Sequence, residues 1–296
     1  MAKTSCFTAT IDLKLEAKLR ADLESQGFEL SKPPYTLFSA KKKNLSCTLY
    51  ESGKLTVQGK EMDEFIEFYL EPEILGKFVH THAAALLDKT ARIGLDEAGK
   101  GDFFGPLCIA GVYADGPGVE KLLEIGVKDS KKMTDGAIKK MAAKIRESFL
   151  FTVIRLFPPK YNELHAKFKN LNRLLAWTHT AALGDLVQKS GCKVAVIDQF
   201  ADAGVMERAL QQKKLEVTLT QRFRGEEDLV VAAASILARA AFLDGMEKLS
   251  AEVDFVLPKG ASDIVIQAAK TIVAKQGADV LKKIAKTHFK TMQHVT

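Results

Sequence analysis

Leucines at 15, 19 and 23 recur every four residues and mark one face of a helix that Gly27 can close. The pattern then shortens to three strand-like runs, YTLFSAKK, LSCTLYES and GKLTVQGK, with Asn44 and Ser52-Gly53 as turn residues between them. A second helix is expected from near Glu61, carrying Phe65, Phe68 and Tyr69. Lys41, Lys42 and Lys43 fall at a hairpin tip, where they either keep a sheet edge soluble or touch phosphate. Residues 71–90 mix Pro, Gly and His with a short apolar run, and a domain boundary is expected there.

From Arg92 onward strands alternate with longer amphipathic stretches. IGLDEAG and LCIAGVYA read as a strand pair. VKDSKKMTDGAIKKMAAKI reads as a basic helix with Asp129-Ser130 and Thr134 as caps. SFLFTVIRLF is a strand, and Tyr161 to Gln188 reads as one long helix. KVAVIDQF is a continuous apolar run suited to a buried central strand, ending in Asp198. VTLTQRF follows as a strand, and VVAAASILARAAFLDGM as a small-residue helix that can pack closely on a sheet. Two further helices are expected, with LPKGAS before them. Strands first grouped and then interleaved with helices predict an α/β fold, a mixed sheet flanked by helices on both faces. A small α+β domain over residues 1–85 precedes this larger one over 86–296.

Composition changes the picture little. With 47% apolar and 27% charged residues, the chain reads as globular. The apolar run from Leu229 to Leu243 is interrupted by Ser235 and Arg239 and reads as too short to span a bilayer. No basic-then-apolar leader opens the chain. Cys6, Cys47, Cys108 and Cys192 are scattered, which suggests neither a zinc site nor a disulfide framework. A cytoplasmic monomer without membrane contact is the expectation. Charge is more telling. Residues 1–85 hold 11 Lys+Arg against 12 Asp+Glu, while residues 86–296 hold 32 against 25, so the larger domain carries the whole positive excess. A polyanionic partner suits that balance.

Candidate chemistry centres on Ile93 to Pro106, IGLDEAGKGDFFGP. Gly94 to Lys100 imitates a P-loop, but Gly101 stands where Mg²⁺ needs a hydroxyl, and Asp96 and Glu97 would repel the phosphates. Gly105-Pro106 also lead into a strand instead of a helix. Asp96-Glu97, Asp198 and the Glu226–Asp228 cluster instead fall at strand or loop ends. Oxygen ligands without His or Cys suit Mg²⁺ or Mn²⁺. Such carboxylates with two divalent ions can clamp the attacking water and leaving oxygen of a phosphodiester. Lys100, Lys131 and Lys132 would ring this acidic centre. His165 and His179 read as surface or core-edge histidines, and Trp177 as core.

DEAGKGDFFGP, DSKKM, IDQF and AAASILAR together resemble the type 2 ribonucleases H. Within them NLNRLLAWTH, LPKGAS, AKTHFKT, the GKG turn and the extra N-terminal domain resemble the ribonuclease HIII branch. The resemblance implies an RNase H-like nuclease domain behind a substrate-binding domain similar to half of the TATA-binding protein fold. It implies metal-dependent endonucleolytic cleavage of the RNA strand of RNA–DNA hybrids, leaving 3′-hydroxyl and 5′-phosphate ends. Carried onto this chain, Asp96, Glu97 and Asp198 are the first three catalytic acids and the metal ligands. Glu226, after Arg224-Gly225, is the fourth, with Asp228 open as the alternative. Gly99, Lys100 and Gly101 match the substrate-gripping turn. Ala261 stands where the HII branch carries a junction-stacking tyrosine. A hybrid-binding protein without catalysis, or a metal-dependent nuclease for another nucleic acid, are the competing functions.

Overall fold

The computed structural model describes residues 6–76, 87–128, 130–223 and 225–295, apart from the side chains of Lys132, Ala203 and Glu226. The chain divides into two compact units, Met1–Leu87 and Asp88–Thr296.

In the first unit, β1 (Cys6–Thr10) is followed by α1 (Glu16–Ser25), β2 (Glu29–Ser31), β3 (Thr36–Lys42), β4 (Leu45–Tyr50) and β5 (Lys54–Gly59). The strands form an antiparallel sheet in the order β1-β5-β4-β3-β2. Period-two alternation on β4 sends Leu45, Cys47 and Leu49 into the core, where they join Leu19 and Leu23 from the four-residue stripe of α1. Then α2 (Met62–Phe65) runs on through Ile66–Leu75 with the wider π winding. Phe65 and Ile66 of this segment are buried, whereas Phe68 is exposed. The edge strands β1 and β2 were not legible in the pattern. Lys42 folds back over the Phe28 ring and lies 3.8 Å from Glu61, so the lysine run is partly committed within its own unit.

The second unit contains β6 (Arg92–Ala98), β7 (Leu107–Ala114), α3 (Gly116–Glu124), α4 (Asp135–Ser148) and β8 (Leu150–Leu156). There follow α5 (Pro158–Phe168), α6 (Leu171–Ser190), β9 (Val194–Asp198), α7 (Ala203–Gln212) and β10 (Thr218–Arg222), then α8 (Leu229–Glu252), α9 (Asp263–Gln276) and α10 (Val280–Ile284). The sheet order is β10-β9-β6-β7-β8. β6, β7 and β8 are antiparallel neighbours, while β9 runs parallel to both β6 and β10. α8 covers β6 and β7, and α6 packs against β6, β7 and β8. Because β6 leads through a turn into an antiparallel strand and not into a helix, the P-loop geometry is absent.

α8 approaches the sheet closely because Gly94 has no side chain. A Cβ there would stand 2.4 Å from the backbone of Val230 and Val231. By length and composition this 24-residue helix could cross a membrane, which corrects the reading of its apolar run as too short. Its apolar window is 83% buried inside the protein, so it is the core helix of this unit.

Two helices differ from the sequence reading. The helix α3, of which the sequence reading said nothing, opens on Gly116-Pro117-Gly118, because Asp115 caps the Gly118 N–H and Pro117 sits in the first turn, where its missing N–H costs nothing. The single helix expected over Tyr161 to Gln188 is two. Lys169 adopts a left-handed conformation (φ 54°) that ends α5, and the Asn170 side chain accepts from Arg173 N to start α6. Thr134 caps α4 as expected; Asp129 lies outside the described residues.

Candidate active site

β6 ends in the acidic pair. Strand alternation turns neighbouring side chains to opposite faces, and each finds a different helix. Asp96 faces α8 beside Ser235, and its Oδ1 accepts from the Glu97 backbone N–H at 2.7 Å. Glu97 faces α6, where His179 Nε2 lies 3.0 Å from its Oε2, and Lys100 Nζ donates to Oε1 at 2.7 Å. An ionised carboxylate only accepts, so Nε2 carries the imidazole proton. The His179 ring is fully buried, stacks on Phe200 at 5.1 Å, and leaves Nδ1 without a hydrogen-bond partner among the described residues. Beside β6, Asp198 follows the Leu95–Ile197 pair on β9 just as Asp96 does on β6. Its Oδ1 accepts from Gly225 N at 2.8 Å, an approach so close that a Cβ on Gly225 would lie 2.8 Å from the Asp198 Cα.

Electrostatics separates the two neighbours. Burial, then the charges of Glu97 and Asp198, push the Asp96 carboxyl above the ordinary carboxylate range. Burial would raise Glu97 as well, but the bonds from His179 and Lys100 outweigh it and hold Glu97 below that range. One acid is thus already held by two donors, His179 and the Lys100 ammonium, and the other is crowded by anions.

These acids open into a cleft of about 520 Å³ that Gly99, Lys100, Gly101, Ser130, Lys131, Arg239 and Lys259 also line. The Gly99 turn requires glycine, since its φ is +84° and a Cβ would sit 2.2 Å from the Pro106 carbonyl. Behind the turn, Asp102 Oδ1 accepts from Gly260 N at 2.6 Å, and Phe103 N donates to Gly260 O. The fully buried Lys286 ammonium donates to the carbonyls of Asp102, Phe104 and Gly105 at 2.8, 3.3 and 2.7 Å. Burial pulls this ammonium down to about 7. Ser130 and Ser235 share a 2.6 Å hydrogen bond. Arg239 and Lys259 converge on Asp135 at 3.2 and 2.6 Å.

Of the residues expected from sequence, Asp96, Glu97, Asp198, Gly99, Lys100, Gly101 and Lys131 come together at this cleft. The side chains of Lys132 and Glu226 lie outside the described residues. Asp228 has another task. Its Oδ1 caps α8 by accepting from Val230 N and Val231 N, and its Oδ2 takes Arg92 Nε at 2.8 Å, with both side chains almost fully buried. His179 was read as a surface or core-edge residue, and its partner is Glu97. Nothing in the helical period of α6 distinguishes a core histidine from one aimed at an acid. Ser235 was visible only as one small residue among several in AAASILAR.

The donor set suits a hard divalent cation. Three carboxylates edge one cleft, and Asp96 and Asp198 have no cationic partner among the described residues. No three His, Cys, Asp or Glu groups are already gathered into one coordination set among those residues. Glu97 instead has both oxygens occupied by His179 and Lys100.

The family model described as ribonuclease HII matches residues 93–292, a span that takes in the acidic end of β6, Asp198, α8 and the Lys286 clamp. The chain belongs to the ribonuclease HII family. A domain of unknown function, DUF3378, matches residues 8–81 of this ribonuclease H. Ribonuclease HIII of Protochlamydia amoebophila is 52% identical over 100% of this chain and 98% of that protein. Ribonuclease HIII of Chlamydia muridarum is 49% identical over 98% of this chain and 96% of its own length. Among solved structures, Bst-RNase HIII in complex with Mn²⁺ is similar with a TM-score of 0.69 at 32% identity, covering 98% of both chains. Aquifex aeolicus RNase H3, at 24% identity and a TM-score of 0.58, shares the fold over 96% of this chain and 100% of its own.

Proposed function

We propose that this cleft is where the ribonuclease H hydrolyses the RNA strand of RNA–DNA hybrids, leaving 3′-hydroxyl and 5′-phosphate ends. Asp96, Glu97 and Asp198 are the metal ligands in this reading, and Glu226 is the fourth acid. The observation that carries it is the junction of β6 and β9, where Asp96 and Asp198 end adjacent parallel strands at a cleft rimmed by lysines. Divalent ions there, Mg²⁺ or Mn²⁺, would supply Lewis-acid activation of water and neutralise charge at the phosphate. The chain's own residues do the rest. His179 fixes the Glu97 carboxylate from behind. The Gly99 turn lets backbone approach a strand without side-chain hindrance, and Lys131 and Lys259 line the cleft as cations for phosphates. Lys100, now on Glu97, is a cation that a metal or a phosphate can draw away.

Labelled RNA–DNA hybrid, duplex RNA and duplex DNA, each with Mg²⁺, Mn²⁺ or EDTA, test this reading. Cleavage confined to the hybrid and to the metal-containing reactions is expected. Cleavage of duplex DNA, or of hybrid in EDTA, would overturn it.

Replacing His179 by Phe keeps a ring against Phe200 but removes the hydrogen bond to Glu97. Loss of an orienting partner behind a ligand typically costs about 10- to 100-fold. We expect a kcat fall of that order with unchanged melting; wild-type kcat would show that Glu97 needs no such support.

Ala261 adjoins Gly260, which is bonded to Asp102 and Phe103 beside the catalytic turn. Alanine offers no aromatic face, and base stacking is worth about 1–3 kcal/mol. Cleavage at a lone ribonucleotide in duplex DNA should therefore fall roughly 5- to 150-fold below cleavage within a run of ribonucleotides. Equal rates in a side-by-side digestion would exclude HIII-type specificity.

The N-terminal unit, with its antiparallel sheet and exposed Lys41 and Lys43, suits a TATA-binding-protein-like domain that holds the hybrid. Removing residues 1–85 should weaken hybrid binding while some cleavage persists. Unchanged affinity would assign that unit to another partner.

A further inference from the structure

A second cleft, of about 400 Å³, lies between α5, α6 and α7 and shares no lining residue with the first. Trp177 forms part of its wall, half-buried, with Phe168 tilted against it at 5.7 Å. Lys167, Arg173 and Arg208, one from each helix, stand around it, and all three are exposed. None of them has an ion-pair partner among the described residues, although other exposed cations of the chain are paired, Lys160, Lys189 and Lys282 among them. Lys213 adds a fourth charge, its ammonium lying over the indole ring 5.8 Å from the centroid, where a stacking base would displace it. Trp177 and His179 are two residues apart on α6, about 200° around the helix, so this cleft lies on the far side of α6 from the Glu97 contact.

We infer that this cleft binds a single-stranded stretch of nucleic acid, with one base stacked on Trp177 and its flanking phosphates on Lys167, Arg173 and Arg208. The inference rests on the reading that the enzyme works on nucleic acid. An aromatic face set among unpaired cations is the combination that holds single strands: the ring takes any base, and the cations track the backbone. An acidic peptide would use the cations but has no aromatic plane to lay against the indole. The volume suits one base with its sugar and phosphate better than a duplex, whose bases are already stacked. A single-stranded extension of a hybrid would so be retained away from the acids that cut.

Trp177 is the sole tryptophan of the chain, so its fluorescence reports on this cleft alone. The experiment titrates the full-length protein in EDTA with a short oligothymidylate, with inorganic polyphosphate and poly-glutamate as comparison ligands. Saturable quenching by the oligonucleotide and little by either comparison is expected. The double variant Arg173→Gln/Arg208→Gln should raise the dissociation constant about tenfold or more and flatten the slope of log K against log salt by about 1.4. Its cleavage of a blunt-ended hybrid should match wild type, because neither arginine lines the catalytic cleft. Absent quenching, unchanged affinity and slope in the double variant, or equal quenching by poly-glutamate or polyphosphate would each overturn the inference. Failure of the wild-type protein to cut hybrid would overturn the catalytic reading instead, since quenching in EDTA needs no turnover.

Discussion

Asp96→Asn should lower hybrid cleavage by about 10³-fold or more, some 4 kcal/mol of transition-state stabilisation, while leaving hybrid binding largely intact. The amide keeps the shape and the Ser235 contact but removes the charge that a divalent cation needs. Stability should move the other way. Asp96 is pressed against the charges of Glu97 and Asp198 without a cation of its own among the described residues, so a neutral amide relieves repulsion in metal-free buffer. Melting in EDTA is expected to be unchanged or higher, and added Mg²⁺ or Mn²⁺ should stabilise the wild type but not the variant. Near-wild-type turnover in Asp96→Asn would remove the metal-site reading altogether.

The second large effect separates Asp228 from Glu226. Asp228→Asn leaves an oxygen to cap α8 but sets an amide against the buried Arg92 guanidinium. Breaking a buried pair from one side costs about 3–5 kcal/mol, because the remaining charge is stranded. For a unit of this size that corresponds to a fall of roughly 6–20 °C in Tm. Arg92 keeps its bonds to the carbonyls of Asp88 and Thr90, which places the loss toward the lower end. Turnover per folded molecule should survive. Glu226→Gln should do the reverse, with normal melting and a collapse in kcat. If Asp228→Asn melts normally and loses turnover, Asp228 is the fourth acid and its role at the head of α8 is secondary.

The legible parts of this protein are those where one period runs long enough to leave a single solution. The stripe of α1, the alternation of β4 and the small-residue run of α8 dictate both element and orientation. The acids were legible for a related reason: Asp96, Glu97 and Asp198 are costly at the ends of apolar strands unless chemistry needs them there. What escaped was decided by a single residue or across the fold. One left-handed lysine at 169 and one capping asparagine at 170 split a helix whose apolar stripe reads as continuous. Asp115 turns a Gly-Pro-Gly breaker into a helix start. His179 meets Glu97 from 82 residues away, and Arg92 meets Asp228 across 136. No local pattern records such meetings; only the sheet order brings them about.

The Lys286 clamp also has a temporal side. Its ammonium closes on the Asp102 carbonyl across 184 residues of chain. Synthesis proceeds from the N-terminus at about 5–20 residues per second, so the Gly99 turn exists for roughly 10–40 seconds before its clamp has been made. Throughout that interval the acids of β6 are already present, yet the three carbonyls that shape the turn have no ammonium to hold them. The last contacts of the turn are therefore completed only when almost the whole nuclease unit has been translated.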